Sequence, residues 1–336
     1  MRQFSRGAQS QHGLQRIIKG MAFRSGFVSI VGRPNAGKST LLNALAGEKL
    51  AIVSPKPQTT RSRVLGVIHV PKKKGKAGAQ VVLVDTPGVH RPDNSLGRKM
   101  MAQVREALDG CDLVLVIADA SRRPEPEDEA LLNLVKSSKT QAFLLLNKID
   151  LLRGDKGKLL PLIEHYAKRH QFREVIPISA RKREGLDMLL EKMLKTLPEG
   201  PPYFPEDQVT DQPSRFMAGE LIREQVLMAT SEEVPYSTTV VIEQFDEGKK
   251  LTRIAAAIFC EREGQKRILI GKQGQMLKKI GTAARLEMER MLGTKVFLEL
   301  FVKVSPNWRE SKGFVEELDW RKQLEHLMGT PTTDRD

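Results

Sequence analysis

Phe27-Val28-Ser29-Ile30-Val31-Gly32-Arg33-Pro34-Asn35-Ala36-Gly37-Lys38-Ser39-Thr40 decides the fold of this chain. An apolar run ends in two glycines with four residues between them, followed by Lys-Ser and a helix-like segment over 38–46. This is a P-loop: glycines let backbone N–H groups turn inward around phosphate oxygens at a helix N-terminus. In this reading Gly32, Arg33, Pro34, Asn35, Ala36, Gly37, Lys38, Ser39 and Thr40 bind phosphate. Lys38 reaches the β- and γ-phosphates and Ser39 places its hydroxyl on Mg²⁺.

Working outward, Asp85-Thr86-Pro87-Gly88 follows the apolar run Val81–Val84. A carboxylate at that strand end can hold Mg²⁺, and Gly88 leaves its N–H free for the γ-phosphate. Between the two motifs lies Gln58-Thr59-Thr60-Arg61. A threonine here would come from a mobile loop to coordinate Mg²⁺ when a γ-phosphate is present. Thr60 is preferred over Thr59, so Ser39, Thr60 and Asp85 form the expected metal set. Lys38, Thr60, Gly88 and Asn35 are the expected catalytic residues. Asn147-Lys148-Ile149-Asp150 follows the strand-like run Ala142–Leu146. The Asp150 carboxylate can accept two hydrogen bonds from guanine N1–H and N2–H, a donor pair that adenine lacks. Lys148 can lie along the base, Asn147 can tie its loop to the P-loop, and Ser179-Ala180 can offer a backbone N–H to guanine O6. Four motifs in this order specify a site for GTP or GDP. The residue after Gly88 is Val89, where many small GTPases carry a water-orienting glutamine. Intrinsic hydrolysis is therefore expected to be slow. Asn35 is a candidate ligand for a monovalent cation such as K⁺. His90 is weighed as a base and read as a solvated loop histidine.

Short apolar runs alternate with helical periodicity from 27 to 197, which indicates a mainly parallel sheet covered on both faces. Four prolines in the nine residues Leu197–Pro205 then break the pattern and mark a semi-rigid linker. The expected division is an extension 1–25, a nucleotide domain 26–197, a linker 198–212, a second domain 213–325 and a tail 326–336. After the linker the expected order is helix 215–230, strands 237–246 and 251–261, helix 264–270, helix 275–292 and strand 295–304. Gly271-Lys272-Gln273-Gly274 joins the last two helices. Inside an α-β-β-α-α-β unit this Gly-x-x-Gly turn is a type II KH signature, in which the glycines admit a nucleic-acid backbone. Lys266, Arg267, Lys272, Gln273, Lys278 and Lys279 would meet phosphates beside Gly271 and Gly274. Ile268, Ile270, Leu277 and Ile280 would line a groove for about four unstacked bases.

Charge supports this division. Residues 1–198 hold 35 Lys and Arg against 18 Asp and Glu, whereas 199–336 hold 20 against 23. The second domain suits a narrow groove better than a broad polyanion surface. Its basic residues gather in 262–290, eight against three acids. A second basic window, 56–105, includes Lys72-Lys73-Lys74-Gly75-Lys76. Two cysteines, Cys111 and Cys260, exclude a disulfide scaffold and a Cys-based zinc site, and read as buried free thiols. No apolar stretch is long enough for a transmembrane helix, and 1–25 is basic without the apolar core of a secretory signal.

With Gly32–Ser39, Gln58–Arg61, Asp85–Gly88, Asn147–Asp150, Ile178–Ala180 and Glu261–Arg309 together, the chain over 26–325 resembles the Era family of bacterial GTPases. The resemblance implies an α/β Ras-like P-loop GTPase domain followed by a smaller α+β KH domain. It also implies binding of the 3′ end of small-subunit ribosomal RNA, a role in assembly of the small ribosomal subunit, and hydrolysis with Val89 in the glutamine's place. A cytoplasmic location follows, with peripheral membrane association at most. The extension 1–25 and the insertion Lys72–Ala79 depart from the family pattern. A monomer is expected, since no heptad run or large apolar edge is evident. Two other readings compete: a binding module whose nucleotide is only structural, and a tRNA-modifying GTPase, which would need a further domain.

Overall fold

The computed structural model describes residues 23–72, 78–152 and 155–321. Residues 1–22, 73–77 of the insertion and the tail 326–336 lie outside the described residues. The first half runs β1 (Arg24–Gly32), α1 (Lys38–Ala46), β2 (Val64–Val70), β3 (Ala79–Asp85), α2 (Ser95–Asp109) and β4 (Leu113–Asp119). It continues through α3 (Pro126–Ser138), β5 (Ala142–Asn147), α4 (Leu159–Ala167), β6 (Glu174–Pro177) and α5 (Leu186–Thr196). The six strands lie in the order β2-β3-β1-β4-β5-β6, with only β2 antiparallel to its neighbour.

Alternation along β1 sends side chains to opposite faces. Val28 and Ile30 join Leu41, Leu42, Leu189 and Met193 under α1 and α5. Val31 joins Val104, Leu131, Leu132 and Tyr166 under α2, α3 and α4. Both faces are covered, so β1 and β4 are nearly all buried, as parallel strands in α/β proteins are. The strand order reverses beside β1, and the carboxyl ends of β1, β3, β4 and β5 open on one crevice. Every nucleotide motif of the sequence sits on that edge.

Residues 198–212, expected as a linker, are tied along the first domain. Ser25 Oγ donates to Pro201 O (2.6 Å), Val67 N to Val209 O (2.8 Å) and Thr210 Oγ1 to Leu65 O (2.7 Å). The side chain of Gln80, fully buried, accepts from Tyr203 N (2.7 Å) and Phe204 N (3.0 Å) and donates to Phe204 O (2.7 Å). The prolines cannot supply backbone donors, so a side-chain amide reads the segment instead.

The second half comprises α6 (Ser214–Ala229), β7 (Thr239–Asp246), β8 (Leu251–Cys260), α7 (Glu263–Ile270), α8 (Gln275–Leu292), β9 (Lys295–Val304) and α9 (Lys312–Glu317). The sheet order is β7-β8-β9, with β7 antiparallel and β9 parallel to β8. The parallel pair needs a crossover, which α7 and α8 supply. Leu221 and Ile222 of α6, Leu269 of α7, and Ile280, Ala284 and Met288 of α8 close one core over the sheet. Ile280 is 1% exposed in that core, so it does not line the groove as the sequence suggested. Its place is set by the i, i+4, i+8 stripe that it shares with Ala284 and Met288. Cys260 is buried as expected, whereas Cys111 is only half-buried at the turn after α2.

Replacing Gln80 by Ala removes the partner of two part-buried backbone N–H groups and one carbonyl. We expect a loss of about 2–4 kcal/mol, measured by urea unfolding, with β-sheet content retained by the folded fraction.

Candidate functional site: a guanine-nucleotide crevice and a KH groove

The P-loop runs from the end of β1 to the start of α1. Asn35 takes φ +61° and Gly37 φ +102°. A Cβ on Gly37 would stand 2.3 Å from Asn147 Nδ2, so only glycine fits there. Lys38, 5% exposed, folds back and donates to Gly32 O (3.2 Å) and Arg33 O (2.9 Å). Burial pushes its ammonium down to about 8, and Asp85 only partly opposes this. A phosphate arriving in this cradle supplies the countercharge that burial makes costly to lack. Arg33 turns its side chain away, pairing with Glu125 and Asp128 at the start of α3, so only its backbone remains for phosphate. Thr40 follows half-buried on α1.

Ser39, Thr60 and Asp85 converge. Ser39 Oγ donates to Asp85 Oδ2 (2.6 Å) and lies 2.8 Å from Thr60 Oγ1, which is itself 3.4 Å from Asp85 Oδ2. Thr59 instead bonds Ser54 Oγ and Lys56 O, so the structure brings Thr60 to the cluster and leaves Thr59 outside. Asp85 is fully buried, and its Oδ1 has no hydrogen-bond partner. Burial raises its carboxyl to about 6, against the lowering by Lys38, Ser39 and Thr60. A buried carboxylate oxygen without a partner beside two hydroxyls suits a hard divalent cation such as Mg²⁺. Thr86 is turned to β1 instead of being left for a ligand: its Oγ1 donates to Ile30 O (2.8 Å) and pins the turn. Pro87 and Gly88 are buried against the P-loop, where a Cβ on Gly88 would meet Pro34 N at 2.7 Å.

On the base side, Asn147 Nδ2 donates to Ala36 O (2.8 Å), and its Oδ1 accepts from Ala180 N (2.9 Å). Asp150 Oδ1 accepts from Ser179 Oγ (2.6 Å), which holds the carboxylate in place for a ligand. Asp119 at the end of β4 is a further residue of the crevice. It pairs with Lys148 Nζ at 2.6 Å and so orients the stem of that lysine. Burial opposes the charge, yet hydrogen bonds from Lys148 and Ser121 hold the Asp119 carboxyl below its usual range. Its signal was an acid at the carboxyl end of a parallel strand, outside any of the four motifs.

Val89 is 1% exposed and packs with Val31, Met101 and Val104. It is therefore a core residue that closes the wall behind Gly88. His90 Nδ1 sits 2.9 Å from Gly88 O, and its Nε2 has no partner.

In the second domain α7 ends at Gly271 (φ +71°), Gln273 takes φ +51° and Gly274 φ +76°. A Cβ on Gly271 would meet the Cβ of Met276 at 2.7 Å, so the turn is as tight as a Gly-x-x-Gly turn requires. Arg267, Lys272, Gln273, Lys278 and Lys279 are exposed and Lys266 half-buried. Ile268 is 49% exposed beside half-buried Ile270 and Leu277. An apolar floor rimmed by cations is what single-stranded nucleic acid needs.

Family models match both halves: "50S ribosome-binding GTPase" over 27–148 and "KH domain" over 233–309. GTPase Era of Syntrophus aciditrophicus (strain SB) is 47% identical over 302 residues, covering 89% of this chain and 96% of that protein. GTPase Era of Geobacter metallireducens is 48% identical over 300 residues, covering 89% and 98%. Among solved structures, an Aquifex aeolicus Era variant bound to GDP·AlF4⁻ has TM-score 0.83 and 43% identity, covering 88% of this chain and 99% of that one. Era in complex with MgGDPNP and nucleotides 1506–1542 of 16S ribosomal RNA has TM-score 0.84 and 43% identity, covering 89% and 99%. Similarity of this extent spans both domains, the crevice and the groove together: the chain belongs to the Era family of GTPases.

Proposed function

We propose that this protein is a GTP-hydrolysing switch that binds the 3′ end of small-subunit ribosomal RNA and acts in assembly of the small ribosomal subunit. Residues 26–197 are the GTPase unit, 213–325 the KH RNA-binding unit, and 198–212 joins them. The observation that carries this reading is the solved Era that holds MgGDPNP and 16S nucleotides at once, with both domains alike in this chain. The 50S particle in the first family model's description belongs to a match over the GTPase half alone. The RNA contacts belong to the other half.

Backbone N–H groups of Gly32–Ser39 and Lys38 hold the phosphates. Ser39, Thr60 and Asp85 would hold Mg²⁺, which would supply positive charge against the phosphates. Gly88 offers its N–H to the γ-phosphate. Asp150 selects guanine, Lys148 covers its face, and Ala180 reaches O6. The attacking water must be oriented without Val89, because that side chain lies in the core. Asn35 is the candidate ligand for K⁺ near the developing charge. Its Nδ2 already donates to Pro55 O (2.8 Å), which ties the P-loop to the loop that carries Thr60.

No helix among the described residues is long and apolar enough to cross a membrane. The reading is a monomer that works in the cytoplasm and meets the membrane peripherally at most.

The direct test is binding of a short single-stranded oligonucleotide from the 16S 3′ end, with a scrambled control, at two salt concentrations. Each is measured with GDP and with a non-hydrolysable GTP analogue. Tighter, sequence-selective binding with the analogue is expected; equal binding would sink the switch. Asp150→Asn should weaken GTP binding by about 100-fold, the loss of two charge-assisted hydrogen bonds, while xanthosine triphosphate binds instead. Gly274→Asp should weaken RNA binding by roughly tenfold or more and leave GTP affinity intact. Hydrolysis should run faster in KCl than in NaCl of equal ionic strength, and Asn35→Ala should erase that difference.

A further inference from the structure

The loop between α1 and β2 carries Thr60, and the residues on both sides of Thr60 are anchored in the other domain. Arg223 and Glu224 are consecutive on α6, 2% and 6% exposed. Glu224 Oε1 accepts from Val53 N (2.9 Å), and its Oε2 pairs with Lys49 Nζ (2.6 Å). Arg223 Nη2 donates to Thr59 O, while Glu220 grips the same guanidinium at Nε (2.7 Å) and Nη2 (2.6 Å). Ile52, 3% exposed, is buried in the core of the KH domain rather than its own.

On the far side of Thr60, Arg61 is buried and points its guanidinium into the KH domain. Nη1 donates to Thr238 O (2.6 Å), and Nη2 to Pro235 O and Tyr236 O (both 3.2 Å). The guanidinium lies 5.7 Å from the centre of the Trp308 ring, and Trp308 Nε1 donates to Ser237 O (2.8 Å) in the same loop. A buried cation is held by its carbonyl partners, and these partners fix where residue 61 can be.

We propose that Arg61, Arg223 and Glu224 form a clasp by which the KH domain positions Thr60 for the nucleotide-bound Mg²⁺. The two residues flanking Thr60 are each bonded across the domain boundary, so its hydroxyl cannot approach or leave Ser39 and Asp85 independently of α6 and the 235–238 turn. Arg61, Arg223 and Glu224 are positioning residues; none touches the nucleotide. By linkage, whatever Thr60 gains from a γ-phosphate state is shared with docking of the KH domain, and docking favours that state equally. This rests on the reading of Thr60 as a Mg²⁺ ligand.

The test is the ratio of affinities for a GTP analogue and for GDP, with and without Mg²⁺, in the full chain. Arg223→Ala, Arg61→Ala and Glu224→Ala should each lower the analogue-to-GDP ratio by about tenfold in Mg²⁺, leave GDP affinity unchanged, and have little effect without Mg²⁺. Arg223→Lys should restore part of the ratio, since one donor can still reach Thr59 O. A merely structural role would lower both affinities alike or change only the melting temperature, and either result overturns the clasp. Thr60→Ala separates the two claims. If Thr60→Ala leaves the ratio unchanged, the reading of Thr60 fails. If it lowers the ratio and the clasp variants do not, the clasp fails alone. Should the variants not fold, amide exchange of the unaltered protein decides. Protection over 52–61 and over 235–238 should change together between GDP and the Mg²⁺-analogue complex, and a change confined to 52–61 overturns the proposal.

Discussion

The Asn147 side chain is the pin on which the nucleotide crevice depends. One amide joins three loops that come from distant parts of the chain: it donates to Ala36 O in the P-loop and accepts from Ala180 N after β6. At 2% exposure it has no water to fall back on, so both bonds must be kept or a buried group is orphaned. The same side chain leaves no room for a Cβ at Gly37. The P-loop and the loop 147–150 are thereby held in one relation, as a rigid ligand spanning both would need.

Electrostatics make the crevice a site rather than a solved piece of core. Lys38 and Asp85 are both buried, and each is pushed toward its neutral form. They attract each other, but Lys38 spends its hydrogen bonds on Gly32 O and Arg33 O, and Asp85 keeps one oxygen without a partner. A protein selected only for stability would neutralise such a pair more fully. A phosphate and a divalent cation would supply the two charges that complete it.

The two domains are not beads on a string. The Pro-rich segment is hydrogen-bonded to β1, β2 and β3, and Ile52 from the first domain completes the second domain's core. A further small cluster joins Leu96 and Met100 of α2 to Trp308 and Val315. Lys99 adds a bond to Val315 O (2.9 Å) and a pair with Asp319 (3.2 Å). Interfaces of this kind make relative domain position a state variable, which is what a switch needs to convey a γ-phosphate to an RNA groove.

The sequence by itself determined the architecture and most of the crevice. Strand and helix periods placed β1 to β6 and α6 to β9 within a few residues, because a parallel sheet covered on both faces leaves continuous apolar runs. Contiguous motifs mark the candidate phosphate, metal and guanine residues, because each motif is built from one short loop. What lay outside its reach needed partners distant in the chain. Ile280 was read as groove because an apolar residue near a Gly-x-x-Gly turn has the same signature on either face of its helix. Arg33 and Thr86 belong to motifs but spend their side chains on α3 and β1. Asp119, Gln80, Arg223 and the true burial of Val89, Ile52 and Arg61 follow from packing between elements as distant in the chain as those of Arg61 and Trp308. Local patterns carry local structure; which buried donor meets which acceptor is decided only when the chain has folded.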